Sequence, residues 1–475
     1  MDTILISPVT MDGHLLAGVK VEAAFGGGAY KPADDTYIIK LPDSPRPLEL
    51  KLRITGDAKL HFVVELEATY AKVGELEVRG ELAYFAPPRA AVVDGHAMIS
   101  LVVFLSRLRD ATADAETALR NAPDARPGLS PPENYSVVTD ADIGNSPRHV
   151  LADPPIGDDH QLAFDKESPG SLNPDAQHIV FELKVDTAPK LISVTWPRSV
   201  ERAIAAPAPD VLVYFHHDVN QNWKQGYYHG RYPYSFDYLY LHTVAFNWYE
   251  ADPLLSAPFK KGIALQIFAA GRSVISVVPV NSLAAEIGVF ASASSMEIVL
   301  REIVGFVLRR ERVFETPTLG RVGLASFSAG NRRVQAFLKA NKDHSFCRET
   351  VREVYGFEPP LDNIANWLHD VTAWMTTGAD DKCARIYCLR NHPKEFGKFL
   401  GLPGDLSRRT PHFAESEDGR RTASVIDTQE WGSVRVKLWA QEKLPRQKTE
   451  FQEGHQLTSA LLLTHAMRKS GFRKM

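Results

Sequence analysis

Residues 322–340, VGLASFSAGNRRVQAFLKA, constrain the fold more than any other stretch of the chain. The apolar run at the start suits a strand buried on both faces, and the apolar residues after Gly330 return at helical spacing. Between them lies a turn in which Ser326, Ala329 and Gly330 are all small, with Ser328 at its apex. A buried strand, a sharp turn and a helix in succession lift one hydroxyl clear of a sheet and aim it outward. The pattern Ser326-x-Ser328-x-Gly330 is a variant of G-x-S-x-G with serine in the first small position. Serine, alanine and glycine are common, so a strand-to-helix turn that merely needs small residues also satisfies these positions. The strand before and the helix after are what point to a reactive serine.

At 475 residues the chain exceeds one ordinary core, and two domains are expected. A net charge of -4 gives no reason to expect nucleic acid or an anionic membrane surface as a partner. Cys347, Cys383 and Cys388 make neither a disulfide framework nor a metal spacing. Met1–Leu15 lacks the basic start and long apolar stretch of a signal peptide, and no run has the length of a transmembrane segment. The cytoplasm is therefore the default expectation, with leaderless export left open.

Residues 1–125 read as β-structure without chemistry of their own. Strands are expected over Gly18–Ala24, Thr36–Leu41, Leu48–Ile54, Leu60–Leu66, Glu75–Phe85 and Ala97–Phe104. The segments DGHLLAGVKVEAAF, DDTYIIKLP and LELKLRI resemble the small transthyretin-like or carboxypeptidase-regulatory β-sandwich modules. Residues 126–175 are dense in Pro, Asp, Gly and Ser and read as a linker or loop-rich connector.

From residue 176 to 475 strands and helices alternate, the pattern of a largely parallel sheet. His178–Val185 and Leu191–Trp196 suit an opening antiparallel pair. Val211–Phe215, Ser273–Val280, Val351–Phe357, Ala384–Leu389 and Ser433–Leu438 are further strands. Ser295–Phe314 is expected to be an amphipathic helix with Ile298, Ile303, Val307 and Leu308 among its apolar positions, and a last helix spans about Leu457 to Lys469.

A serine hydroxyl needs a histidine to take its proton and an acid to orient that histidine. His455 lies in the turn after the last strand and before the terminal helix, within EGHQLTSALLLTHAM. The strand–helix order, the Ser328 turn and His455 together resemble an α/β-hydrolase. The fold this implies is α/β, an α/β-hydrolase-type mostly parallel sheet with flanking helices, preceded by a small all-β sandwich domain. In that family the acid usually follows the seventh strand, where Asn391 stands here. Gly356-Phe357-Glu358-Pro359-Pro360 is similar to the G-L-D-P-A segment that supplies the acid in pancreatic-type lipases, with Glu for Asp. Glu358 is the favoured acid and Asp362 the second choice; a strand-end carboxylate capping a loop reads equally well.

The resemblance also implies an oxyanion hole of two backbone N–H groups. Ala329 follows the nucleophile and would give one. The loop after VLVYF opens with His216-His217-Asp218, where the family has His-Gly, and His217 is the expected second donor. Adjacent histidines on a strand end point apart, so a metal site is not the expected reading. Trp223–Tyr249 carries 11 aromatic residues, seven of them tyrosines, and suits an apolar acyl group or a partner surface, or simply packs over the sheet. Trp223, Tyr227, Tyr228 and Tyr232 are the expected substrate contacts. The implied activity is that of a serine hydrolase of carboxylic esters, lipid or other apolar acyl esters first, needing no cofactor or metal. An amidase or peptidase on the same residues and a non-catalytic binding protein of this fold stay open, as does docking to a protein or surface through the N-terminal β domain.

Overall fold

The computed structural model describes residues 1–11, 13–33, 37–56, 63–79, 84–106, 108–110, 176–183, 191–197, 208–216, 263, 267, 270–280, 287–310, 316–359, 364–388, 413–418, 421–427, 463 and 466–475. In chain order the first strands are β1 (Thr3–Thr10), β2 (Lys20–Phe25), β3 (Lys31–Pro32), β4 (Ile38–Lys40), β5 (Leu48–Thr55), β6 (Val63–Lys72), β7 (Glu75–Arg79), β8 (Tyr84–Phe85), β9 (Arg89–Val93) and β10 (His96–Leu105). They form two five-stranded sheets, one ordered β4-β1-β10-β8 with β9 also on β10, the other β3-β2-β5-β6-β7. Strict alternation builds them: in β5, Leu48, Leu50, Leu52 and Ile54 point inward while Glu49 and Lys51 are exposed. Ile4, Ile6, Ile99 and Leu101 of one sheet and Leu50, Leu52, Leu66 and Tyr70 of the other share one buried cluster. Each such aliphatic side chain contributes about 1.5–3 kcal/mol on burial.

Among the described residues the strand expected over Glu75–Phe85 is two, β7 and β8, which lie in different sheets. Of the strand expected over Leu60–Leu66, residues 60–62 lie outside the described residues, and β6 continues past Leu66 to Lys72. No strand is expected from the sequence over β1, which pairs parallel with β10, from Thr3↔Met98 to Thr10↔Leu105, a partner some 95 residues away in sequence.

The alternation of β10 breaks near its end, where Val103, Phe104 and Leu105 are all buried. The outer face there is covered by helix α1 (Ala293–Arg310). Phe104, Val9 and Met11 join the core that α1 lines with Met296, Val299, Leu300, Ile303, Val304 and Val307. Arg309 lies over the Phe104 ring at 4.2 Å, and Ser106 Oγ donates to Glu302 Oε1 at 2.9 Å. A Cβ on Gly305 would lie 2.2 Å from Met11 O, so only glycine lets the two backbones meet there. Ile298, one of the apolar positions of this helix, is 44% exposed, because it falls on the face opposite the buried stripe.

The remaining strands are β11 (Leu108–Asp110), β12 (Ala176–Leu183), β13 (Leu191–Pro197), β14 (Asp210–Phe215), β15 (Val274–Val280), β16 (Val322–Phe327), β17 (Val351–Phe357), β18 (Cys383–Cys388), β19 (Phe413–Asp418) and β20 (Arg421–Asp427). They form a ten-stranded sheet in the order β11-β12-β13-β15-β14-β16-β17-β18-β20-β19. The expected mostly parallel sheet is a mixed one. Neighbours from β15 across to β20 are parallel, whereas β11, β12, β13 and β15 pair antiparallel at one side and β19 with β20 at the other. Counting the first two sheets, antiparallel pairings outnumber parallel ones among the described residues. Every residue of β14 and of β16 is buried, as strands covered on both faces require. Helices α2 (Gly330–Asn341) and α3 (Ile364–Met375) pack beside them through Val334, Phe337 and Leu338 and through Trp367, Leu368 and Trp374. Among the described residues no helix is long and apolar enough to cross a membrane.

Candidate functional site

Four parallel strands, β14, β16, β17 and β18, end at one level. Their registers align Phe215 with Ser326, Phe327 with Phe357, and Phe357 with Tyr387. The residues just past these ends are His216, Ser328 and Glu358. In an open sheet the carboxyl ends of the strands are where a ligand crevice forms.

Ser328 is the turn residue between β16 and α2, and its φ is 51°. A non-glycine residue in this left-handed region carries about 1–2 kcal/mol of strain, so the surroundings must hold it there. Its N–H donates to Phe357 O at 2.9 Å, and its carbonyl accepts from Asn331 N at 3.0 Å and from Asn331 Nδ2 at 2.9 Å. Ser328 and Ala329 are half-buried, while Ser326 and Gly330 on either side are buried. The helix starts immediately. Ala329 already has helical angles, φ -60° and ψ -23°, and Gly330 opens α2. Among the described residues none accepts a bond from the Ala329 N–H, as expected for the first donors of a helix. A Cβ on Gly330 would lie 2.3 Å from Phe215 O and 2.6 Å from His216 O. The small residue at this point is thus demanded by the close approach of α2 to the end of β14.

Glu358 has the same backbone conformation, with φ also 51°, at the end of the neighbouring strand. It is only 6% exposed, and its N–H donates to Tyr387 O at 2.7 Å. Phe357 and Tyr387 stack at 4.8 Å beneath it. Two of the four left-handed non-glycine residues among those described therefore stand side by side at this sheet edge. His216, fully buried, lies past the end of β14, and its carbonyl accepts from Arg333 Nη1 at 2.9 Å.

Of the residues expected from sequence, Ser328, Ala329 and Glu358 are brought together. His455, Asp362, His217, Trp223, Tyr227, Tyr228 and Tyr232 lie outside the described residues. Asn331 was missed, although its amide ties the serine turn to β17. The one hint was an amide residue in the first turn of a helix, where such side chains bond to nearby backbone.

The opposite, amino end of the sheet carries a charged seam that fastens the last residues of the chain. Arg272 Nε donates to Met467 O at 2.9 Å and Nη1 to Phe472 O at 2.7 Å, while Nη2 reaches Arg468 O. Asp210 accepts from Arg321 N and Arg473 N, both at 2.8 Å, and the fully buried Glu353 accepts from Gly471 N at 2.7 Å. Asp381 at the rim pairs with Arg321 at 2.6 Å and also with Arg352.

No protein-family model and no curated protein matches the chain. Among solved structures, it is similar to a siderophore hydrolase from Aspergillus nidulans, with 12% identity over 46% of this chain and 72% of that one and a TM-score of 0.24. A CE1 ferulic acid esterase from the anaerobic fungus Anaeromyces mucronatus matches with 12% identity over 50% of this chain and 82% of that one, at a TM-score of 0.23. The same esterase in complex with ferulic acid gives 14% identity over the same shares and a TM-score of 0.24. Scores of that size leave the architecture to be read from this chain's own strands.

Proposed function

We propose that this chain is a serine hydrolase of carboxylic esters with an α/β-hydrolase catalytic region over residues 176–475. The observation that carries the reading is the left-handed backbone of Ser328, held at the carboxyl end of a buried parallel strand where a helix begins. A hydroxyl in that position is presented above the sheet with helix N–H groups beside it. The strand order supports the same reading, because β15 lies outside β14 and the serine follows the next strand, β16.

In this mechanism Ser328 Oγ attacks the ester carbonyl carbon while its proton passes to His455. The N–H groups of Ala329 and His217 stabilise the oxyanion. Collapse of the tetrahedral species expels the alcohol, which takes the proton from the imidazole. Water, deprotonated by His455, then releases the acid and restores Ser328. Glu358, or else Asp362, orients the imidazole; the burial of Glu358 beside the Ser328 turn favours it. The aromatic stretch Trp223–Tyr249, with Trp223, Tyr227, Tyr228 and Tyr232, favours a lipid or other apolar acyl ester. Residues 1–125 would serve as an accessory β domain, joined through residues 126–175.

A fluorophosphonate probe tests the reading, since it traps an activated serine hydroxyl. The native chain is expected to be labelled at Ser328, and Ser328→Ala and His455→Ala to lose the label. A native, folded chain that takes up no probe would sink the proposal.

A further inference from the structure

We propose that Asn331 is a positioning residue for the Ser328 hydroxyl, an amide staple that locks the serine turn to the strand bearing Glu358. This rests on the reading of Ser328 as the nucleophile.

Asn331 is fully buried, and each polar group of its side chain has a partner. Nδ2 donates to Ser328 O at 2.9 Å and to Phe357 O at 2.8 Å, which uses both of its hydrogens. Oδ1 accepts from Ser326 Oγ at 2.9 Å. Two carbonyls facing one end of the amide and a hydroxyl facing the other leave a single orientation for it. The bonds end on particular atoms. Ser328 O belongs to the strained residue itself. Phe357 O belongs to the peptide that leads into Glu358, and it also takes the Ser328 N–H at 2.9 Å. The N–H and the carbonyl of Ser328 are thus both anchored in one cluster, which fixes the direction of its side chain. The neighbouring elements make a seat for the staple. Trp367 Nε1 donates to Asn331 O at 3.1 Å, and a Cβ on Gly356 would come within 3.1 Å of Asn331 Oδ1.

Removing this side chain leaves each of its partners another bond. Ser328 O keeps the Asn331 N–H, Phe357 O keeps the Ser328 N–H, and Ser326 Oγ keeps Tyr355 O at 3.4 Å. What is lost is the direct tie between the serine turn and the end of β17. Beyond whatever stability the lost bonds cost, the effect is expected in the rate of attack by Ser328 rather than in affinity.

The test is the kinetics of fluorophosphonate labelling, resolved into a saturating rate and a half-saturating probe concentration. Asn331→Ala is expected to keep the native near-ultraviolet circular dichroism and the native half-saturating concentration. Its saturating rate is expected to fall on the order of 10- to 100-fold, the scale of a displaced reacting group. Asn331→Asp supplies a second readout, because a carboxyl can donate to those carbonyls only when protonated. The ratio of its rate to the native rate is expected to fall as pH rises. A folded Asn331→Ala chain labelled at the native saturating rate overturns the proposal, and so does an Asn331→Asp ratio that stays flat with pH. Absence of label on the native chain overturns the nucleophile itself, and this role with it.

Discussion

Replacing Gly330 by alanine asks whether the serine turn is held by close packing. The new Cβ would lie 2.3 Å from Phe215 O and 2.6 Å from His216 O. An ordinary carbon-to-oxygen contact is about 3.3 Å or longer, so α2 or the end of β14 must move by roughly 1 Å. Neither is free to do so. His216 is fully buried with its carbonyl held by Arg333, and α2 seats Val334, Phe337 and Leu338 in the core. Alanine does favour a helix over glycine, by at most about 1 kcal/mol in a helix interior and less at a first residue. Overpacking a rigid site costs about 1–3 kcal/mol, so the clash outweighs the propensity. The variant is expected to lose about 1–2 kcal/mol in urea unfolding. The same shift reaches Ser328, two residues upstream, and a reacting group misplaced by about 1 Å loses on the order of 100-fold in rate. Saturating fluorophosphonate labelling measures that loss. A Gly330→Ala chain as stable as the native one and labelled as fast would refute the packing argument.

Three further perturbations address the parts around the turn. Gly305→Val would drive a side chain into Met11 O, now 2.2 Å from an ideal Cβ, and loosen β1 and β10 from α1. Hydrogen exchange in those strands is expected to quicken while Ser328 labels at the native rate; unchanged exchange would mean that the contact is slack. Arg272→Met removes the donors that hold the carbonyls of Met467, Arg468 and Phe472, and about 2–4 kcal/mol of stability should go with them. Arg272→Lys should recover little of it, since an ammonium lacks the planar fork; full recovery by lysine would contradict this. Burial pushes the Asp381 carboxyl up, but Arg321 and Arg352 together outweigh it and hold the group below the usual carboxylate range. The folded state then binds this proton less readily than the unfolded chain. The contribution is complete above the unfolded carboxylate range and is lost as pH falls through the lower, folded value. Asp381→Asn is expected to cost about 0.5–1 kcal/mol at neutral pH, a partly exposed pair being modest, with the gap closing in acid. A gap independent of pH would point to a cause other than charge.

Local pattern carried a good part of the architecture. Val211–Phe215, Val351–Phe357 and the strand–turn–helix at Ser328 could be read from apolar runs and small residues, because a strand buried on both faces leaves an unbroken apolar stretch. The strands of the first two sheets were mostly visible through alternation. Pairings between distant segments were not visible, and β1 shows why. Its eight residues alternate well enough, yet its role depends on lying parallel to β10. Of the antiparallel flanks of the large sheet, the β12–β13 pair is legible in the sequence, whereas the pairings of β11 with β12, β13 with β15 and β19 with β20 are not, since the direction of a partner strand leaves no mark on a strand's own periodicity. Ile298 stays exposed, since a hydrophobic residue is not bound to face inward.

By itself the sequence determined that a small-residue turn would follow a buried strand with Ser328 at its apex, since turn sterics and hydrophobic period act over a few residues. Only the tertiary structure decided what stands next to it. The register of β17 on β16 brings Glu358 beside the turn from 30 residues away, and it places Phe357 O where both Ser328 and Asn331 can reach it. The left-handed backbone at Ser328 is likewise a tertiary fact. A serine left to its own preferences avoids that conformation, and it is the hydrogen bonds from neighbouring strands and helices that hold it there.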